Sequence, residues 1–364
     1  MGLYQQKANI TGISIKFIIL NMVKKKLAFV DHDYHKKTRC ADFLREIFSE
    51  YFTIDNYWWS LNEEKKLIKY LKNYENIFFF QTLIPSYDLL KLRGKNLMWA
   101  PMYDTLSFEW KYWKKIKYIN IKLLCFSNKI KLHADKIGCQ NIGLKYFIRP
   151  KEMEFKTPQK TLNIFFWFRS TLRLNDWLGL FDLDTINKII YFDSPDSGKN
   201  PEEFDKTILN KYKIELVKKT FLPQTQYIEY VKNCDVFISP RKQEGIGMGF
   251  LEAISMGKYI VSYDDSTMNE YITDKKIGFL INKKSEKLID YNDILDNVNY
   301  RIQFAKNGYL QWLTQKNEII NFFSSNLNKE KKNWFMEILF FLDFIKKSKD
   351  FRKCSFTVRS GQQS

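Results

Sequence analysis

Short apolar runs alternate with longer amphipathic stretches in two successive sets along this chain, and that order of elements leaves few folds open. From Lys25 onward the strand-like runs are Leu27 to Asp31, Phe52 to Trp58, Ile77 to Leu83, Asn96 to Pro101, Ile121 to Ser127 and Tyr146 to Ile148. Helical patterns such as Thr38 to Ser49 and Asn62 to Lys72 lie between them. A charged segment bounded by Pro150 and Pro158 has no period and reads as a linker. The second set follows as Leu162 to Phe168, Lys188 to Phe192, Ile214 to Val217, Val236 to Ser239, Tyr259 to Ser262 and Gly278 to Ile281. Strands joined by helix-length connections predict parallel sheets with helices on both faces, so the expected class is α/β with two Rossmann-like doubly wound domains. Ligands of such sheets bind beyond the strand carboxyl ends, which makes the cleft between the domains the expected site.

The pattern divides the chain into an extension at 1–24, a first domain at 25–150, a linker at 151–160 and a second domain at 161–290. Helices follow at 291–350, with an apolar run from Trp334 to Ile345, and then a polar tail at 351–364. A chain of 364 residues, 17% of them aromatic, can bury two cores and is no low-complexity polymer. No apolar run reaches the roughly 18 residues of a membrane span. The nearest, Ile10 to Val23, carries Lys16 and Asn21, has no basic cluster before it and reads as a loose extension. Five scattered cysteines (Cys40, Cys125, Cys139, Cys234, Cys354) without a C-x-x-C pair point to a reducing compartment and no structural zinc.

The formal charge is +18, and residues 1–150 hold 26 Lys/Arg against 13 Asp/Glu while the rest holds 33 against 28. An acidic partner is expected, chiefly at the front half. No zinc finger, helix-turn-helix or aromatic-basic RNA pattern is present, so nucleic acid is not the expected partner. The stretch Phe108 to Tyr118 reads either as an interfacial helix on anionic lipid or as a core helix with Leu106, Trp110, Trp113 and Lys117 on its buried face.

The chemistry concentrates in Ser239 to Leu280. A strand ends at Ser239, the chain turns through Glu244-Gly245-Ile246-Gly247-Met248-Gly249, and a helix begins. Glycines there let backbone approach a ligand, and a helix N-terminus offers unpaired N–H groups to phosphate. Glu252 lies about two turns along the helix, where a carboxylate can accept two ribose hydroxyls. Together with Leu251-Glu252-Ala253, Gly257 before a buried strand, and Glu270 before Gly278, this order resembles the donor-binding half of the retaining, family 4-like glycosyltransferases of the GT-B fold, the glycosyl transferases group 1.

The resemblance implies roles for particular residues. Glu244 would face the donor sugar. The turn formed by Gly245, Ile246, Gly247, Met248 and Gly249, with Leu251 behind it, would meet the sugar and diphosphate, and Glu252 would hold the ribose. Arg169, after the first strand of the second domain, matches the clamp arginine of such enzymes. The lysine expected about five residues later is replaced by Leu174, with Arg173 beside it as a possible substitute. Arg241 and Lys242 either touch phosphate or form a solvated loop. Tyr103-Asp104 stands where related enzymes often carry a His-Asp pair, and Asp33, His35, Tyr103, Asp104 and Glu270 are candidate acceptor or cleft residues. For Asp33 and His35 a local turn role is equally open, and Thr267 with Glu270 also fits a capping box.

Asp31-His32-Asp33 and Asp182-Leu183-Asp184 are D-x-D pairs of the type that holds a metal in glycosyltransferases of the other major fold, but neither has that fold's context. No metal site or cofactor is expected, with the nucleotide-diphosphate sugar as co-substrate. The implied activity is transfer of a hexose-type sugar to a glycan or lipid-linked acceptor in bacterial capsule, lipopolysaccharide or O-antigen synthesis. The implied location is cytoplasmic, in peripheral contact with anionic lipid at the inner membrane face. A nucleotide-sugar epimerase and a non-catalytic nucleotide-sugar-binding subunit are the alternatives.

Overall fold

A computed structural model describes residues 24–60, 63–84, 86–151, 161–169, 172–196, 199–218, 223–282 and 288–325. The expected extension up to residue 23, nearly all of the linker, the Trp334 to Ile345 run and the polar tail lie outside the described residues.

Among the described residues, twelve strands form two six-stranded sheets. The first contains β1 (Lys25–His32), β2 (Phe52–Trp59), β3 (Asn76–Phe80), β4 (Asn96–Ala100), β5 (Lys122–Cys125) and β6 (Asn141–Gly143), in the order β2-β1-β3-β4-β5-β6. The second contains β7 (Leu162–Phe168), β8 (Ile186–Asp193), β9 (Ile214–Lys218), β10 (Val236–Ile238), β11 (Tyr259–Tyr263) and β12 (Gly278–Ile281), in the order β12-β11-β10-β7-β8-β9. Strand β1 pairs in parallel with β2 and β3, and β7 pairs in parallel with β8 and β10. Read from β9, the second sheet has the doubly wound 3-2-1-4-5-6 order, whose reversal point lies between β7 and β10.

The central strands are apolar on both faces because helices cover both. Ile77 to Phe79 in β3 and Val236 to Ile238 in β10 are 0% exposed. Along β7, Ile164, Phe166 and Phe168 join Tyr191, Trp177 and Val261 in one core, while Phe165 and Trp167 point the other way to Tyr227 of the helix Gln224–Lys232. That alternation is the period-two pattern of a strand, and each large apolar side chain so buried stabilises the sheet by about 1.5–3 kcal/mol.

The chain divides into two compact units, one ending at Leu97 and one beginning at Met98. Strands β1 to β3 belong to the first, and β5, β6 and the whole second sheet to the second.

Three local expectations differ from the structure. The sixth strand is Asn141–Gly143 and not Tyr146 to Ile148. Tyr146 and Phe147 are apolar because they pack on Trp312, Tyr271 and Phe304, the first and last of these from the long helix Val298–Ser324. The helix expected from Thr38 to Ser49 is broken at Arg39, where φ is 54°, into His35–Thr38 and Asp42–Ser49. In the helix Trp110–Ile119, Trp113 is the core residue as expected, whereas Trp110 is 46% exposed beneath Lys114. Among the described residues no helix is long and apolar enough to cross a membrane.

Candidate functional site

The reversal point of the second sheet brings together two sequence-predicted segments: Arg169 follows β7, and the Arg241 to Gly249 turn follows β10. At the centre of that turn Gly247 has φ 74°, a left-handed conformation costly for other residues, and it precedes the helix Met248–Ser255. The first-turn N–H groups of this helix have no intrahelical partners by geometry. Gly245 and Gly249 are required by space. A Cβ at 245 would stand 2.8 Å from Met102 Sδ, and one at 249 would stand 2.6 Å from Tyr227 Oη. The Tyr227 hydroxyl donates to Gly249 O at 3.1 Å. Ile246 and Leu251 are 5% and 1% exposed, so they anchor the turn from the core side, while Met248 is half-buried.

A charged cluster sits beside this turn. Asp196, three residues beyond β8, accepts from Arg169 Nε at 2.8 Å, from Arg169 Nη2, and from Arg241 Nη2 at 2.6 Å and Nε at 3.2 Å. Arg241 Nη1 lies 3.7 Å from both Glu244 Oε2 and Asp104 Oδ2. Burial pushes the Glu244 carboxyl up to about 7; Asp104 and Asp196 add to the rise, while Arg241 and Arg169 oppose it. Asp104 is raised as well, by burial against the pull of Arg241, and its Oδ1 is buried with no hydrogen-bond partner among the described residues. Burial acts to raise Asp196 too, but there the guanidinium bonds win and hold it below the usual range. The cluster therefore contains two fixed cations, one firmly ionised carboxylate and two carboxyl groups held toward their neutral form.

Arg173 is exposed at the start of a 3-10 turn, where its own N–H donates to Asp176. Leu174, at the position expected for lysine, is 2% exposed in the core of the second sheet. Burial raises Glu252, and Gln224 donates to it at 3.5 Å. Burial pushes the Tyr227 hydroxyl well up, and Glu252, Cys234 and Glu244 add to the rise.

A second network braces the turn. The buried Thr267 hydroxyl donates to Gly245 O at 2.6 Å and Glu244 O at 3.1 Å. Thr267 makes no side-chain cap to its own helical turn, so the capping-box reading of Thr267 is not realised. Asp265 accepts from Gln243 Nε2 at 2.8 Å, from the Tyr103 hydroxyl at 3.1 Å and from Lys129 Nζ. Glu270 accepts from Asn128 N at 2.8 Å, at the N-terminus of the helix Asn128–Ile137, and from the Ser266 hydroxyl at 3.0 Å. A cavity of about 410 Å³ opens beside Tyr103, lined also by Phe108, Lys129, Leu132, His133 and Lys136.

Asp33 and His35 lie in the first unit. His35 is buried on Phe80 and bonded to Asp31, which Arg45 Nη2 also meets at 2.6 Å. Burial alone would lower His35, but the bonds to Asp31 and Cys40 carry it up to about 9. Asp33 is half exposed beside the His32 ring, while the His32 N–H donates to Asp31 at 2.7 Å. Asp182 serves as a turn cap, accepting from Asp184 N at 3.1 Å. Among the described residues no group of three or more His, Cys, Asp or Glu is placed to hold a metal ion.

Sequence reasoning missed Asp196, Tyr227, Gln243 and Lys129. Only Asp196 left a signal, as a carboxylate just past the carboxyl end of the second strand of the second set.

Residues 197–311 match the family described as Glycosyl transferases group 1. A search of curated proteins finds no match to the sequence. Among solved structures, sucrose-phosphate synthase from Thermosynechococcus elongatus aligns with TM-score 0.57 at 11% identity, over 82% of this chain and 98% of that one. Anabaena Alr3699/HepE, in complex with UDP, aligns with TM-score 0.52 at 13% identity, over 83% and 100%. S. aureus TarM aligns with TM-score 0.48 at 15% identity over 72% of this chain, which spans only 59% of the length of that protein. The chain has the GT-B fold, and its residues 197–311 are similar to the glycosyl transferases group 1.

Proposed function

We propose that the protein transfers a hexose-type sugar from a nucleoside diphosphate to a hydroxyl group of a glycan or lipid-linked acceptor, with retention at the anomeric carbon. The observation that carries this reading is the convergence, at the reversal point of the second sheet, of a glycine turn opening a helix, two guanidinium groups and the raised Glu244 carboxyl. The UDP bound by the structurally similar HepE supports a nucleotide diphosphate as the donor class.

The diphosphate lies on the N–H groups of Gly247 to Gly249 with Arg169 and Arg241 beside it. Fixed cations there stabilise the charge that develops as the bond from the anomeric carbon to the diphosphate oxygen breaks, and one such donor is worth about 10² to 10³ in rate. Those guanidinium groups take the place of a metal in neutralising the leaving group. The acceptor oxygen bonds to the same face of the anomeric carbon, and its proton passes to the departing diphosphate. Glu252 accepts the ribose hydroxyls, Glu244 meets the sugar hydroxyls, and the unpartnered Asp104 Oδ1 accepts a further substrate hydroxyl. The cavity beside Tyr103 receives the acceptor. The setting is bacterial surface-polysaccharide synthesis at the inner face of the membrane, with the basic front half meeting anionic lipid.

A thermal-shift panel of nucleoside diphosphates and their sugars tests the reading. A ligand present at 100 times its Kd adds about 2.7 kcal/mol of stability. Glu252→Ala loses the nucleotide-dependent gain, whereas Glu244→Ala keeps most of it and loses turnover. Binding and turnover like the parent in both variants refute the assignment, and conversion of the sugar without an acceptor replaces transfer by epimerisation.

A further inference from the structure

We infer that Asp196 is a positioning residue that aligns Arg169 and Arg241 as a two-arginine clamp selective for a diphosphate, with Arg241 as the second cation in a chain where Leu174 fills the expected lysine position. The inference rests on the donor reading above and adds the carboxylate that organises it.

Strands β8, β7 and β10 are consecutive neighbours in the second sheet, and Asp196, Arg169 and Arg241 follow their respective carboxyl ends. One carboxylate thereby reaches both guanidinium groups. Each arginine presents the same edge to it, Nε and Nη2, so the Asp196 bonds leave both Nη1 atoms unused. In Arg241 that nitrogen lies 3.7 Å from both Glu244 Oε2 and Asp104 Oδ2. Arg169 is further restrained by lying 4.8 Å over the Trp167 ring.

Two long cationic side chains held this close repel one another and lose rotamer freedom on being fixed. A shared carboxylate offsets both costs before the ligand arrives, which is preorganisation in its ordinary physical sense. Arg173 cannot be aligned in this way, since the contacts of its turn run to Asp176 and Glu202. A ligand with two linked phosphoryl groups uses both guanidinium groups at once, whereas a monophosphate has enough oxygens in place for one. Asp196 is therefore expected to govern discrimination between the two more than nucleotide binding as such.

The test is calorimetric titration of the full chain with UDP, GDP and ADP and with their monophosphates. In Asp196→Ala the affinity for the tightest diphosphate falls at least tenfold, while that for the matching monophosphate stays within about twofold. Asp196→Asn, which keeps one acceptor oxygen, recovers part of the loss. Arg241→Gln loses a similar factor, and the Asp196→Ala/Arg241→Gln double variant loses little more than either single one, as expected for groups acting as a unit. In turnover the loss falls mainly on the donor KM. An unchanged or tighter diphosphate preference in Asp196→Ala overturns the inference while leaving nucleotide binding intact, and so does strict additivity in the double variant. Absence of nucleotide binding in the parent overturns this inference and the donor reading together. Asp196 is 27% exposed on its side chain, and should Asp196→Ala nonetheless fail to fold, the Arg241→Gln and Asp196→Asn titrations decide the matter alone.

Discussion

Replacing Glu244 by glutamine removes a titrating carboxyl from a site that disfavours its charge, so the variant should gain stability over the parent as the pH rises. Folded, the Glu244 carboxyl releases its proton at about 7; unfolded, it does so near the ordinary 4.5. The folded state thus holds the extra proton between those values. The stability linked to this group is complete below about 4.5 and is lost as the pH rises through about 7. At about 1.36 kcal/mol per pKa unit the interval is worth about 3 kcal/mol. Because 14% of the side chain still meets water, that figure is a ceiling. Glutamine has nearly the same shape and does not titrate. Urea unfolding at about pH 5 should therefore show parent and Glu244→Gln closely matched, and at about pH 8.5 the variant should have the higher midpoint with an unchanged slope. Equal midpoint differences at both values, or a variant that is less stable only at high pH, would refute the burial argument for this carboxyl.

Two further perturbations examine how the turn and the long helix are held. Thr267→Val keeps the shape of the side chain but leaves the carbonyls of Glu244 and Gly245 without its hydroxyl, which should cost about 1–3 kcal/mol and lower turnover; Thr267→Ser should restore both, and a fully active Thr267→Val would show that the brace is dispensable. Gly308→Ala places a Cβ 2.4 Å from the Phe147 ring. The helix-propensity gain of about 1 kcal/mol is smaller than an overpacking cost of about 1–3 kcal/mol, so urea unfolding should show a net loss, and a variant as stable as the parent would show that the ring can yield.

Much of this arrangement could be read from the sequence because it depends on local pattern. Eleven of the twelve strands among the described residues lie where apolar runs placed them, and the glycine turn and Arg169 stand just past strand ends. The miss at Tyr146 to Ile148 has a plain cause, since aromatic residues bury equally well against a helix as within a sheet, and one sequence does not distinguish the two. Thr267 followed by Glu270 satisfies a local capping rule, yet the hydroxyl bonds carbonyls 22 and 23 residues earlier in the chain. Asp196 is harder still. Its role arises only because β8, β7 and β10 become neighbours, and that adjacency is a property of sheet order. Leu174 shows the converse, a departure from the family pattern that the fold explains by placing the residue in the core.

A structure of the protein bound to a nucleoside diphosphate would test the central claim most directly. The account predicts phosphate oxygens within about 3 Å of N–H groups from Gly247 to Gly249, with an arginine nitrogen of Arg169 or Arg241 at similar range. A nucleotide seated elsewhere, or one whose phosphates turn away from that helix start, would contradict it.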